Sequence, residues 1–534
     1  MSKENFILTT SHITETMKPL TNNIFFICLS VVVVAVGFLV SENTRLYIND
    51  DSLSYLSIAS LYANGEWWKA LNAHWSPGFS WLLMPSVFLH TDILMFGKML
   101  GVCAIVPIIF LVKKLGEGMG INSTVNFFLC FSVSAILLHD AVYNFSPDLL
   151  VIPFYLFVVL HVLDELKQAN TGNIFSVAIS AAIGFYFKQY MLLFFVLLMC
   201  VLFVFQFAKF PMNSRKIFFS FSKKMSLFLL LIAPWVIFIS VKEKHFTFST
   251  ASSYNIHQLG HPETAFDSYL ENGLVPLPYP EAYSYWDAPS QLQKTNLSFA
   301  DGYKDFEHLK FQWNRMNENY KTIFDFMEYI LGNRAILVLL VLVIACMYYF
   351  TTKSKERKFY FLLLAALIIY SSGYIFLVAD IRYIYFDIVL ITIAAAKLLS
   401  DVLTENFPKW VLVLSGISFF YLFGKTSLDY VEYYNEHGKE KITRVENLST
   451  LISDNSNCCN YNFTEAQCDL IFKNHLHHFG KLKIEQPLSF KLAQLRQFNI
   501  QYVFSDSPVT DSLGSSLTLQ KEDDEGLWVY ERRK

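Results

Sequence analysis

Charged residues are scarce in this chain, and hydrophobic residues are abundant. Only 16% of the 534 residues are charged and 54% are hydrophobic, whereas soluble domains carry about 25% charged residues. Because a soluble protein could not bury so much apolar surface, the composition predicts a polytopic membrane protein. The formal net charge of −3 is too small to indicate a nucleic-acid partner.

The sequence also lacks patterns that would indicate other classes of protein. We find no internal repeat, no low-complexity segment and no Gly-rich phosphate loop. We predict no cleavable signal peptide, because residues 1–23 are mostly polar and the apolar run after them is long enough to span a membrane.

Long apolar runs recur along the chain. A helix needs about 20 apolar residues to cross a bilayer, which predicts about eleven spans. They cover residues 24–41, 94–112, 123–141, 148–164, 173–187, 189–207, 222–241, 335–351, 359–378, 383–400 and 408–424. Residues 78–90 are apolar but short, and Pro77 and Pro85 interrupt them. We therefore predict that this stretch is a juxtamembrane helix at the interface.

The distribution of positive charge predicts the orientation. With the N-terminus inside, lysine and arginine concentrate in the inner segments, as the positive-inside rule requires. Two outer loops, 42–93 and 242–334, are then long. We predict a membrane module over 1–424 and an outer domain over 425–534.

The C-terminal tail has the pattern of a small α/β domain. Residues 500–504 and 527–530 are rich in β-branched and aromatic residues, which predicts strands. Apolar residues recur at helical spacing over 488–498, which predicts an amphipathic helix. In an oxidising compartment a disulfide could join two of the three tail cysteines, Cys458, Cys459 and Cys468.

This topology brings acids and bases to one membrane face. They are Asp50 and Asp51 after the first span, Asp148 at the start of the fourth, Lys188 after the fifth, Arg382 before the tenth, and His74, Trp75 and His257 in the outer loops. Two adjacent carboxylates are costly to desolvate unless a cation, a partner or a substrate proton meets them. A secondary transporter more often has ionisable groups near mid-membrane, so the pattern favours chemistry at the interface.

Several short motifs occur in a definite order over residues 20–400. They are Asp50-Asp51-Ser52 followed by Tyr55, Ala59 and Gly65, then Trp75-Ser76-Pro77-Gly78, Lys98, Ser146-Pro147-Asp148, Phe187-Lys188 and Arg382-Tyr383. The ordered set resembles the GT-C glycosyltransferases, which are integral-membrane enzymes that use polyprenyl-phosphate sugars. The likeness is to the group with protein O-mannosyltransferases and lipid A aminoarabinose transferases. The proline that usually follows the late Arg-Tyr pair is missing here.

The resemblance implies an α-helical GT-C fold and transfer of a sugar from a polyprenyl-phosphate donor to a glycan, lipid or protein. Asp50 is the expected general base because it heads the pair, with Asp51 as the alternative and Asp148 in support. Two neighbouring acids raise each other's proton affinity, which suits a base. The expected donor-phosphate ligands are Lys188, Arg382 and Lys98, and the expected sugar or acceptor contacts are Tyr55, His74, Trp75 and Tyr383.

Other interpretations of the same residues remain open at this point. Asp50 and Asp51 could cap a helix, and Lys188 and Arg382 could be interfacial anchors. His257 could join a carboxylate around a divalent metal ion. The chain could also be a polysaccharide or lipid transporter, a polymerase-like envelope assembly protein or an inactive scaffold. The short inner loops favour a bacterial inner membrane, with the N-terminus cytoplasmic and the site and C-terminus periplasmic. A protein of the endoplasmic reticulum would have the same topology.

Overall fold

The protein is mainly helical, and its structure is a computed structural model. It describes residues 3–167, 173–252, 254–255, 273–287, 305–332, 347, 357–376, 379–403, 407–461, 467–510, 513–523 and 526–533. The helices in these ranges, in chain order, are α1 Lys3–Thr44, α2 Asp50–Ala63, α3 Trp67–Ala70, α4 Pro77–Phe88, α5 Ile93–Met119, α6 Ser123–Tyr143, α7 Asp148–Lys167, α8 Ile174–Phe187, α9 Met191–Lys209, α10 Ser214–Glu243, α11 Phe306–Leu331, α12 Arg357–Phe376, α13 Ile381–Val402, α14 Lys409–Phe423, α15 Lys425–Ser449, α16 Cys468–Lys473 and α17 Leu488–Gln497.

Many of these helices are long enough to cross a bilayer. Among the described residues, eight qualify by length and composition: part of α1 together with α5, α6, α7, α9, α10, α12 and α13. The pair α14 and α15, bent by 49°, would make a ninth, and α8 is apolar but shorter. These helices lie where the sequence predicts spans, except that the prediction over 335–351 falls outside the described residues apart from Met347. The prediction of an α-helical polytopic membrane protein is confirmed.

Side-chain caps set the helix ends that matter for the site. Asn49 caps α2, because its side chain accepts from the Ser52 amide while the Ser52 hydroxyl accepts from the Asn49 amide. Asp380 caps α13 by accepting from the Arg382 amide at 3.2 Å. Both caps satisfy backbone donors that a helix start leaves without intrahelical partners.

Helix α4 is the short helix predicted at residues 78–90. Its first residue is Pro77, which suits a position whose amide would have no helical partner. The helix packs on α2, α5 and α8. A Cβ atom on Gly78 would lie 2.8 Å from the Tyr186 carbonyl oxygen, so glycine permits the close approach to α8. This contact fixes the end of α8, which immediately precedes Lys188.

The C-terminal tail contains a five-stranded β-sheet. Its strands are β1 Asn457–Tyr461, β2 His477–Leu482, β3 Tyr502–Ser505, β4 Leu517–Glu522 and β5 Trp528–Arg532. The strand order is β2-β1-β3-β5-β4, with β1 parallel to β2 and β3, and β5 antiparallel to β3 and β4. The predicted strands correspond to β3 and β5, and the predicted amphipathic helix is α17, whose Leu495 is buried against the sheet. The division at residue 424 stays a prediction, since α15 packs on α1 and α6 of the membrane module.

The three tail cysteines are free thiols. Cys458 and Cys459 are neighbours on β1, and Cys468 is the first residue of α16. All three are buried and unlinked. The disulfide that the sequence allowed is therefore not formed in this structure.

Candidate active site

A cavity of about 1090 Å³ lies where several helix ends meet. Helix α7 begins there, α8 ends there and α9 begins there, while the end of α12 and the start of α13 close one side. Eight of the predicted site residues lie at the cavity wall, namely Asp51, Tyr55, His74, Trp75, Asp148, Lys188, Arg382 and Tyr383. The structure therefore brings eight predicted residues into one cavity.

The cavity has a polar end and an apolar side. Its apolar wall includes Leu192, Leu193 and Val196 at the start of α9, together with Phe246 and Phe376. Leu193 and Phe376 are each 43% exposed and Phe246 is 73% exposed. One side of the cavity is therefore bordered by exposed apolar side chains.

Acids and bases alternate at the polar end. Arg382 is ion-paired with Asp51, lies 3.1 Å from Asp380 through Nη2, and lies 4.0 Å from Asp148 through Nε. Lys188 is ion-paired with Asp148. The Asp148 and Arg382 side chains are only 6% and 9% exposed, and buried charges persist only when they are paired. The five groups form one connected network.

Two contacts hold the cations in position. Asp380 Oδ2 accepts from Arg382 Nε at 3.2 Å, so the residue that caps α13 also orients the guanidinium. Lys188 follows the last residue of α8, and its ammonium group lies 3.8 Å from the centre of the Tyr383 ring. Tyr383 in turn stacks on Tyr374 at 4.4 Å. A cation over an aromatic face gains electrostatic attraction that is stronger away from water.

Aromatic side chains form the opposite wall. Trp75 packs edge-on against Tyr55 at 5.4 Å and His74 at 4.5 Å. Burial lowers the pKa of His74 to about 3, so its imidazole is neutral at ordinary pH. The His74 Nδ1 atom is buried without a hydrogen-bond partner among the described residues. Trp286 donates from Nε1 to Asp51 at 3.3 Å, which fixes one oxygen of that carboxylate.

Asp50 does not line this cavity, although the sequence favours it as the base. Its Oδ1 accepts from the Cys468 thiol of the tail at 3.3 Å, and burial raises the pKa of that thiol, which keeps it protonated. Side chains of adjacent helical residues point about 100° apart, so only Asp51 faces the cavity. Neither aspartate is the N-cap, since Asn49 has that position.

Lys98 also lies away from the cavity. Its ammonium nitrogen donates to the carbonyl oxygens of Val142 at 2.8 Å, Asn144 at 3.2 Å and Tyr143 at 3.4 Å. These are the last carbonyls of α6, which have no helical partners and attract a cation. The structure thus places Lys98 at the C-terminal end of α6, away from the cavity in which we expect the donor phosphate.

The predicted metal ligand cannot be placed. His257 lies outside the described residues. Within the ranges that the structure describes, no group of three or more His, Cys, Asp or Glu side chains is arranged to hold a metal ion. In the cavity, Asp51 and Asp148 already face Arg382 and Lys188. A divalent cation would have to displace both, so these donors do not fit one in this arrangement.

Some cavity residues had no clear signal in the sequence. Trp286 lies 235 positions from Asp51 in an irregular outer segment, and only the fold brings the two together. Tyr374 ends an apolar helix, where a tyrosine is common at an interface. Its stacking partner Tyr383 was predicted, but the pairing depends on how α12 and α13 meet.

Comparison with known proteins identifies the fold. No family model and no curated protein matches the chain. Among solved structures, it is similar to ArnT from Cupriavidus metallidurans bound to undecaprenyl phosphate, with a TM-score of 0.56 and 12% identity over 95% of this chain and 97% of that one. It is also similar to the oligosaccharyltransferase AglB from Archaeoglobus fulgidus in complex with an inhibitory peptide and a dolichol-phosphate, with a TM-score of 0.51 and 10% identity over 89% of this chain and 69% of that one. Both are membrane glycosyltransferases of GT-C type.

The chain has the GT-C fold. The predicted resemblance is confirmed at this level, and the fold extends over nearly the whole chain. At 10–12% identity the similarity speaks for the fold alone. The activity of this GT-C chain has to be argued from the cavity itself.

Proposed function

We propose that this protein is a membrane glycosyltransferase that moves a sugar from a polyprenyl-phosphate donor to a glycan, lipid or protein acceptor. The observation that carries the proposal is the cavity itself, with two cations and three carboxylates at its polar end and exposed apolar side chains along one side. A lipid-linked phosphate needs cations for its phosphate group and an apolar surface for its isoprenoid chain. The likeness to GT-C structures with undecaprenyl phosphate and dolichol-phosphate bound supports the same class of donor.

Lys188 and Arg382 are the proposed ligands of the donor phosphate. The guanidinium offers a planar fork of donors and the ammonium a point charge, and both are matched to phosphate oxygens. Both cations are neutralised by carboxylates in the absence of donor. The phosphate therefore competes with Asp51 and Asp148 for these cations. The isoprenoid tail lies along the apolar wall at the start of α9.

Asp51 is the proposed general base. It is the member of the acidic pair that lines the cavity, and binding of the donor phosphate to Arg382 would release it from its ion pair with that residue. The acceptor oxygen attacks the anomeric carbon, the bond from that carbon to the phosphate oxygen breaks, and the acceptor proton passes to Asp51. The leaving polyprenyl phosphate keeps the electron pair, and its charge is stabilised by Lys188 and Arg382. Direct displacement of this kind inverts the anomeric centre.

The remaining wall residues are proposed to bind the sugars. Tyr55, Trp75 and Tyr383 offer aromatic surface, and the unpartnered Nδ1 of neutral His74 is available to a hydroxyl group. We also propose that the protein lies in the inner membrane with its cavity and tail on the periplasmic side, as the distribution of lysine and arginine predicts.

The test is donor turnover by the purified protein in lipid vesicles. Undecaprenyl-phosphate sugars labelled in the sugar are supplied with a mixture of candidate acceptors, and the transfer of label from the lipid to the acceptor is measured. We expect turnover by the wild type and a loss of about 10²-fold with Arg382→Ala, since truncating one partner of a buried charge pair costs about 2–5 kcal/mol. Lys397→Met is the control, because Lys397 is a buried lysine of the same helix that pairs with Asp401 away from the cavity.

Two outcomes would contradict the proposal. One is movement of the intact lipid-linked sugar across the vesicle membrane without cleavage of the sugar–phosphate bond, which is the behaviour of a transporter. The other is equal turnover by the wild type and Arg382→Ala, which would exclude the cavity as the site of reaction.

A further inference from the structure

A second, smaller cavity lies between the membrane module and the tail. Its volume is about 260 Å³. Helix α2 forms one wall, the segment 279–287 forms the second, and the tail around β2 forms the third. The residues that the argument uses are Ser57, Ser60, Glu281, Tyr283, His475 and His477. Ligand sites occur preferentially at such junctions between structural units.

The wall of this cavity offers both hydrogen-bond donors and acceptors. His477 Nδ1 lies 2.9 Å from the Ala282 carbonyl oxygen, so Nδ1 is the donor in this contact. His475 Nδ1 lies 3.2 Å from the Tyr283 hydroxyl. The Tyr283 ring stacks on His475 at 6.2 Å. A flat aromatic surface therefore stands beside hydroxyl, imidazole and carboxylate groups.

The chemistry of the wall selects the class of ligand. An apolar ligand would cover the exposed Glu281 carboxylate and His475 imidazole, and removing such polar groups from water is costly. An anion would meet the Glu281 carboxylate, and a cation would have to compete with Lys69, which lies 3.6 Å from that carboxylate. A ligand rich in hydroxyl groups satisfies donors and acceptors together. The volume lies just below the range of about 300–1,000 Å³ for drug-sized ligands, which suits a single sugar ring.

The two cavities share their walls. Helix α2 carries Asp51 at the large cavity and Ser60 at the small one, nine residues or about 13.5 Å further along the axis. The segment 279–287 contributes Trp286 to the large cavity and Tyr283 to the small one. Its Tyr279 hydroxyl also bonds with the Ser57 hydroxyl at 2.9 Å. A ligand in the small cavity therefore rests on the same two elements that position the proposed base.

We propose that the small cavity binds a non-reacting sugar residue of a glycan acceptor. The proposal rests on the proposed function, and it selects a glycan from the three acceptor classes named there. Binding of a remote sugar residue would hold the reacting hydroxyl near Asp51.

The test is saturation-transfer NMR on the full-length protein in lipid nanodiscs. The ligands are D-glucose, D-galactose, N-acetyl-D-glucosamine and L-rhamnose, each at millimolar concentration. The variants are Ser60→Trp, which fills the small cavity, and His477→Ala, which removes one side chain from its wall. Arg382→Ala alters the large cavity instead, and His437→Ala removes an exposed histidine of α15 as a matched control. Thermal unfolding of each variant checks that the fold is kept.

We expect at least one of these sugars to bind the wild type, Arg382→Ala and His437→Ala. The saturation-transfer signal of that sugar should fall at least about fivefold in Ser60→Trp and in His477→Ala. The inference is overturned if no sugar of the set binds, or if Arg382→Ala abolishes binding while both small-cavity variants keep it. Donor turnover is measured separately, so sugar binding without turnover would refute the proposed function and leave the small cavity as a carbohydrate site.

Discussion

The two ends of helix α7 hold buried charges in different settings. At its first residue, Asp148 pairs with Lys188 beside the large cavity. Near its last residue, 17 positions or about 25 Å away, Glu165 pairs with Lys224 and lies 2.9 Å from His161 Nε2. Its second oxygen accepts from Gln206 at 3.2 Å. Both carboxylates are buried, and both have cationic partners.

The difference lies in the space around them. Both Glu165 oxygens are occupied by side chains of α7, α9 and α10, so this cluster joins three helices. The carboxylates at the other end face a cavity that could admit a ligand. A buried ion pair alone therefore does not indicate a functional site, because pairs of this kind also occur as structural contacts. The adjacent cavity distinguishes the two.

The largest effect is expected on sugar transfer when Asp51 is changed. Asp51→Asn should lower turnover by about 10²–10⁴-fold, the usual contribution of a general base, because the amide cannot take the acceptor proton. Turnover of the labelled donor in vesicles measures it. Asp50→Asn is the matched control and should stay within about threefold of the wild type, since Asp50 faces Cys468. A larger loss of turnover in Asp50→Asn than in Asp51→Asn would support Asp50 as the general base, as the sequence predicts.

The next effect concerns stability at the opposite end of α7. Glu165→Ala should lower the free energy of unfolding by about 3–5 kcal/mol, because it leaves Lys224 as a buried charge without its partner. Unfolding in mixed detergent measures the loss. The fraction that stays folded should keep the wild-type turnover number. If Glu165→Ala instead abolished turnover without loss of stability, the two ends of α7 would both be functional.

A smaller effect is expected on the pH dependence of stability. The pKa of His74 is about 3 in the folded protein, and burial is the cause, whereas an exposed histidine titrates near 6.5. Between these values the unfolded chain binds more protons, so stability falls as the pH falls below about 6.5. His74→Gln should weaken this dependence by about 1 kcal/mol per pH unit.

Unfolding midpoints between about pH 6.5 and pH 4.5 measure this dependence. If the unfolding midpoint changed with pH equally in the wild type and in His74→Gln, the imidazole would not be held neutral at the cavity wall.

Much of the helical architecture could be predicted from the sequence, because a membrane span is a local property of about 20 residues. The short helix α4 and the strands β3 and β5 were predicted for similar local reasons. The lengths of some spans were less well predicted. Helix α8 ends at the predicted residue, but α10 covers Ser214–Glu243 where the sequence predicts a span over 222–241.

The site was predicted as a set of residues but not in detail. Asp51, Asp148, Lys188 and Arg382 follow from their positions at helix ends on one face. Which of two adjacent aspartates faces the cavity depends on the rotation of α2, and that rotation is set by packing on α4 and the segment 279–287. The position of Lys98 could not be predicted for a comparable reason, because it depends on packing between helices. Its ammonium group contacts the C-terminal end of the neighbouring helix α6.

The central claim is that the charges at the cavity end of α7 bind a lipid-linked phosphate. Its most direct test is the dissociation constant of undecaprenyl phosphate for the purified protein in nanodiscs. We expect the constant to rise about 10–100-fold in Lys188→Met, because a hydrogen bond to a charged group contributes about 1.5–3 kcal/mol. The double variant Lys224→Met/Glu165→Gln, which removes both members of the opposite pair, should bind like the wild type. Unchanged binding in Lys188→Met, or weaker binding in the double variant alone, would contradict the account.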